Sequence, residues 1–148
     1  LMEYTFRFQK ILELKENEKD LRLTEYNRSV KDFETAAEKL YESMKKKEVL
    51  EENTKKQLKN GMAVQAIRHY QQFVTNLDRT IEYYQKLVMI SRNNMKEKQE
   101  VLMESNSEVR KFEKMKERHN ELNREIEKQN DSRSMDDLSI RSYMYREI

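Results

Sequence analysis

Lys59-Asn60-Gly61-Met62 holds the single glycine of a 148-residue chain without proline, and it is the one stretch that reads as a turn. Asn60 or Gly61 can take the left-handed backbone conformation that ends a helix, and Lys55, Lys56 and Lys59 sit where the negative end of a helix dipole would lie. On both sides the sequence is rich in Glu, Lys, Leu, Gln, Arg and Met and lacks the apolar alternation of a strand, so helix is favoured throughout. Charged residues make up 39% of the chain and apolar ones 36%, a coiled-coil composition. A compact globule needs loops, and loops need the Gly and Pro that are nearly missing here, so the chain is predicted to be long and thin.

Outward from the turn, the apolar period describes two stripes. Upstream, a 3,4 spacing runs through Leu12, Glu16, Lys19, Leu23, Tyr26, Val30, Phe33, Ala37, Leu40, Met44, Lys47, Glu51, Thr54 and Leu58, unbroken in apolar character from Leu23 to Met44. Downstream, it runs through Ile67, Tyr70, Val74, Leu77, Ile81, Tyr84, Val88, Ser91, Met95, Lys98, Leu102, Ser105, Val109, Phe112, Lys116, His119, Asn123 and Ile126. The expected fold is all-α: an antiparallel coiled-coil hairpin over residues 1–128, with a first helix over about 5–59, a turn at about 60–61 and a second helix over about 62–128. At 1.5 Å per residue these helices would span roughly 80 and 100 Å. Folding about the turn sets Met44 against Leu77, Leu40 against Ile81, Ala37 against Tyr84 and Phe33 against Val88. A slip of one heptad would match about as many apolar layers, so the turn fixes the register. Layers such as Lys19 with Leu102, Leu23 with Lys98 and Lys47 with Val74 should be softer, their long stems covering the seam. Residues 129–148 open with the helix-poor run Gln129 to Ser134 and read as a flexible tail, with a short helix after a weak capping box at Ser134 and Asp137.

One flank of the expected seam is polar, as a free-standing coiled coil requires: Glu13, Asp20, Asn27, Glu34 and Glu48 face Gln71, Asp78, Gln85, Arg92 and Gln99. The other carries Ala36, Ser43 and Leu50 on the first helix and Phe73, Thr80, Leu87 and Val101 on the second. In the proposed register Leu50 lies beside Phe73, and Ala36 beside Leu87. Between Met62 and Ser91 only Arg68, Asp78, Arg79, Glu82 and Lys86 are charged. An apolar stripe near the turn is the clearest functional signal, read either as a docking patch for another protein or as a broadened core or dimer seam.

Other chemistry finds little support. The formal net charge is +2, which supplies no field for gripping nucleic acid or an anionic membrane. The basic run at Lys45, Lys46 and Lys47 is diluted by Glu48, Glu51 and Glu52 and has no aromatic platform. There is no cysteine, no phosphate-binding glycine loop, and no second ligand at helical spacing from His69 or His119, so no cofactor, metal or catalytic residue is expected. A two-helix hairpin offers no pocket to desolvate a carboxylate pair, and the chain is not read as an enzyme. The longest aliphatic run, Leu87 to Ile90, is far short of the roughly 20 residues that cross a bilayer. The opening residues have no apolar core of signal-peptide length, so a cytoplasmic protein is expected.

The opening Phe6-Arg7-Phe8-Gln9-Lys10-Ile11-Leu12-Glu13-Leu14-Lys15-Glu16, the Asn60-Gly61 turn, His69-Tyr70-Gln71-Gln72-Phe73 and Met135-Asp136-Asp137-Leu138 resemble, in order and spacing, the FliJ family of flagellar type III export proteins, especially versions from Gram-positive bacilli. The resemblance spans essentially the whole chain. It implies a coiled coil similar to the central stalk of rotary ATP synthases, whose ends enter the hexameric ring of the flagellar export ATPase, here through Phe6, Phe8, Lys10, Leu14 and Lys15. It further implies docking onto the cytoplasmic part of the membrane export-gate protein and the recycling of export chaperones. The matching gate-binding positions are Ser43, Leu50, Phe73, Leu77, Thr80 and Tyr84. The implied protein is cytoplasmic, peripherally associated with the export apparatus at the inner face of the cell membrane, monomeric when free, with no nucleic-acid partner and no membrane insertion. Two alternatives remain from the residues alone: a scaffold that self-associates through Ala36, Leu50, Phe73 and Leu87, and a nucleic-acid-binding helical arm, which the near-zero net charge disfavours.

Overall fold

The computed structural model describes the backbone of residues 2–147 and the side chains of residues 8–146. It holds two helices, α1 over Met2–Lys59 and α2 over Val64–Glu147, and no strand among the described residues. They pack against each other as the hairpin expected from the composition and the turn. Two units can be distinguished, one of residues 1–19 with 104–148 and one of residues 20–103.

The turn is longer than its two-residue reading. α1 ends at Lys59, Gly61 lies at φ +87°, and α2 starts at Val64. The Gly61 N–H donates to Leu58 O at 3.3 Å and the Asn60 N–H to Gln57 O at 3.2 Å, closing the last turn of α1. The first bond of α2 runs from the Ile67 N–H to Ala63 O at 3.1 Å. A Cβ on Gly61 would meet no atom within 4 Å, so a substitution there costs backbone strain alone. Gly61→Ala is expected to lower unfolding stability by about 1–2 kcal/mol. Urea denaturation followed by circular dichroism reads this directly, and an unchanged midpoint would mean that the left-handed glycine does not hold the turn.

Within residues 20–103, α2 turns inward the stripe read from its sequence: Ile67, Tyr70, Val74, Leu77, Ile81, Tyr84, Val88, Ser91, Met95, Lys98 and Leu102 are all half-buried. On α1 alternate layers of the predicted stripe need correction. The inward set is Arg22, Tyr26, Ser29, Phe33, Ala36, Leu40, Ser43, Lys47, Leu50 and Thr54. Leu23, Met44, Glu51 and Leu58, predicted for the seam, are exposed, with Met44 at 51%, while Ala36 is 2% exposed. Val30 and Ala37 are half-buried, but the deeper positions are their neighbours Ser29 and Ala36.

Volume explains the choice. α2 brings large side chains to the seam, and close packing then favours small residues opposite them, here Ser29, Ala36 and Ser43 at seven-residue intervals. The polarity of the two serines, and of buried Thr54, is no obstacle, because each hydroxyl finds an acceptor on its own helix. Ser29 Oγ donates to Tyr26 O at 2.6 Å, Ser43 Oγ to Lys39 O at 2.9 Å and Thr54 Oγ1 to Leu50 O at 2.8 Å.

Two cross-hairpin contacts reinforce the register. Lys47 Nζ meets Asp78 Oδ1 at 2.6 Å, so this seam lysine is paired, and the Asp78 hydrogen bond is the first cause of its raised pKa. The Arg92 guanidinium lies 5.7 Å from the centre of the Phe33 ring, a cation–π distance.

In the unit of residues 1–19 and 104–148, Phe8, Leu12 and Val109 are buried, and Phe8 meets Phe112 at a ring separation of 6.0 Å. Ser105, Lys116, His119 and Asn123 are half-buried as read, with Asn123 within 3.4 Å of His119 Nε2, but Ile126 is exposed. α2 does not stop near Lys128. It continues as helix to Glu147, and every described side chain from Arg124 onward is exposed. Gln, Asn, Asp and Ser each weaken a helix by a few tenths of a kcal/mol, but without Gly or Pro nothing in 129–147 breaks it.

Candidate functional site

The rotation of α1 redraws the flank beside the turn. With Ala36, Ser43 and Leu50 in the seam, the positions bordering it become Lys39, Glu42, Lys46, Val49 and Asn53. Together with Tyr41, Lys45, Leu50 and Phe73, the last four of these line a groove between the helices. Its walls are mostly apolar. Phe73 is 59% exposed, Tyr41 and Val49 are exposed, and Leu50 is half-buried at the base. Leu50 and Phe73 therefore meet as the sequence placed them, and Ala36 and Leu87 share a second hollow farther along with Tyr83 and Tyr84.

The predicted gate-binding residues fall in three environments. Leu50 and Phe73 come together in the groove. Leu77 and Tyr84 are half-buried in the seam, Tyr84 with its ring centre 5.4 Å from that of Tyr83 in an edge-to-face arrangement. Thr80 is exposed, its hydroxyl donating to Asn76 O at 3.0 Å, whereas Ser43 is buried and faces α2, not solvent. Of the four residues in the self-association reading, Ala36 is likewise buried.

Tyr41, Lys45, Lys46 and Val49 were not picked out as groove residues, because the predicted stripe on α1 carried them away from the flank. The heptad of small residues Ser29, Ala36 and Ser43 was the signal that could have found them. Charges rim the groove unevenly. Lys45 Nζ lies 3.9 Å from Glu48, an exposed i,i+3 pair of little strength, and Lys46 has no ion pair among the described residues.

Of the predicted ATPase-binding residues, the Phe6 side chain lies outside the described residues. Phe8 is buried against Phe112, Lys10 and Leu14 are exposed, and Lys15 is half-buried with Glu18 at 3.7 Å. Among the described residues no group of three His, Cys, Asp or Glu side chains could hold a metal ion, and no helix is long and apolar enough to cross a membrane.

Residues 4–147 match the flagellar FliJ protein family. An 80-residue stretch is 69% identical to the flagellar FliJ protein of Bacillus subtilis strain 168, covering 54% of this chain and 54% of that protein's length. The aligned stretch thus spans about half of that relative. No solved structure matches the chain. A helical hairpin closed by a left-handed glycine, an apolar groove beside its turn and a family match over nearly every residue agree: this chain belongs to the FliJ family of flagellar proteins.

Proposed function

We propose that this chain is a component of flagellar type III protein export, a stalk-like coiled-coil adaptor between the export ATPase ring and the cytoplasmic part of the export-gate protein. The observation that carries the reading is the half-open groove of Leu50 and Phe73 beside the turn of a FliJ-family hairpin. Large exposed aromatic and aliphatic side chains gathered in one groove are the usual mark of a protein docking surface. Leu50, Phe73 and exposed Thr80 would contact the gate directly, and the seam residues Leu77 and Tyr84 would support them. The chain termini would enter the ring, with Phe6, Lys10, Leu14 and Lys15 near the contact and Phe8 holding the two helices together.

A single rod in a ring touches each subunit differently, and can hold the subunits in different conformations. The protein would also exchange with export chaperones, work in the cytoplasm at the inner face of the membrane, and be monomeric when free. Hydrolysis itself would belong to the ATPase. The test is to add the purified chain to its cognate export ATPase and follow both phosphate release and ring assembly by sedimentation. Faster turnover with a larger hexamer fraction is expected; no change in either would remove the stalk role.

A further inference from the structure

Three hollows follow one another along the flank that carries Phe73. The first lies between the 41–53 stretch of α1 and Phe73, the second between 32–39 and 83–91, and the third between Asp32 and 90–97. On α1 their lining recurs every seven residues through Asp32, Lys39, Lys46 and Asn53, and through Thr35, Glu42 and Val49, so they lie along one face of the hairpin as an interrupted trough. Residues 32 to 53 of a helix extend about 30 Å. A row of hollows between two antiparallel helices, apolar around Leu50 and Phe73, mixed around Tyr84 and Leu87, and polar around Ile90 and Asn94, with heptad-spaced walls, is the shape that accepts a third, amphipathic helix packed nearly parallel to the pair.

The charges at its two ends differ in sign. Lys45 and Lys46 stand at the Phe73 end, opposed by Glu42. Asp32 and Glu97 stand at the other end with no lysine or arginine among the lining residues of that hollow, and Lys39 joins Asp32 only in the middle hollow. The Phe73 end would favour carboxylates and the Asp32 end basic groups, which gives an occupant a direction as well as a position.

We infer that the trough receives an amphipathic helix of the partner protein, its carboxylates toward Lys45 and Lys46 at the turn and its basic side chains toward Asp32 and Glu97. The inference rests on the docking reading above and adds the chemistry and orientation of the bound segment.

The test uses the full chain and the cytoplasmic part of the cognate export-gate protein, with affinity measured by titration calorimetry at low and high sodium chloride. Lys45→Glu with Lys46→Glu, and separately Asp32→Lys with Glu97→Lys, are each expected to weaken binding about tenfold at low salt, the loss shrinking as salt screens it. All four residues are exposed, so the helix content of the variants should match that of the parent.

Phe73→Ala separates the two levels. If it weakens binding while both charge reversals leave affinity unchanged, the docking groove stands and the charged, directed helix is wrong. If Phe73→Ala also leaves affinity unchanged, the docking reading falls and this inference falls with it. A homodimer of the free chain that Lys45→Glu with Lys46→Glu dissociates in sedimentation would identify the occupant as a second copy of the chain and overturn the proposal.

Discussion

Ala36→Leu is expected to destabilise the hairpin by about 1–3 kcal/mol, whereas Ala37→Leu, one position along, should change stability by less than about 0.5 kcal/mol. The two substitutions add the same atoms to the same helix, and alanine and leucine differ little in helix propensity, so the contrast isolates packing. Ala36 is 2% exposed beside Tyr84 and Leu87, so three more carbons must push packed neighbours aside to reach the hollow these residues line, by separating the helices or moving a side chain from its preferred rotamer. Ala37 is half-buried, and an added side chain there has solvent to lean into. Urea denaturation of the two variants at one pH decides the matter. A larger loss at Ala37 than at Ala36 would restore the seam of Ala37 and Met44 that hydrophobic period alone suggests.

That contrast marks the boundary of what the amino-acid sequence made legible. One glycine, no proline and long runs of helix formers point to a hairpin with its turn at Gly61, and the helix bounds agree to within two residues there. α2 was legible because almost every inward position between Ile67 and Val88 is large and apolar, so period and volume agree. On α1 they conflict. The hydrophobic scale prefers Leu23, Val30 and Met44, while packing against the large side chains of α2 prefers Ala36 and the two serines Ser29 and Ser43, whose hydroxyls are satisfied locally. Packing won, a tertiary effect invisible to the period of one helix. Leu50 and Phe73 line one groove because Leu50 borders the flank in either reading, but Tyr41 and Val49 were missed. The polar run from Gln129 to Ser134 suggested a break; a weak helix former is not a breaker, and α2 passes through it.

Phe73→Ala is expected to lower affinity for the cytoplasmic part of the export-gate protein about thirtyfold, equivalent to about 2 kcal/mol, without changing the urea midpoint appreciably. The two halves of the prediction have separate physical causes. Phe73 is 59% exposed in the free chain, so its removal leaves little cavity and forfeits little buried area, and a stability change beyond about 0.5 kcal/mol is not expected. In a complex the same ring would be covered on its open side while Leu50 remains against its base, and an aromatic side chain sealed from water on both faces is where binding energy concentrates. Val49→Ala, which trims the groove wall without emptying its centre, should cost less than a third as much free energy, since two methyl groups at a rim bury less area than a phenyl ring. Calorimetric titration of the three proteins against the same gate fragment, with unfolding curves recorded in parallel, gives both quantities. Affinity kept at the parental value in Phe73→Ala would place the gate contact on another surface of the hairpin, and a fall in stability matching the fall in affinity would show that the ring supports the fold and not the complex.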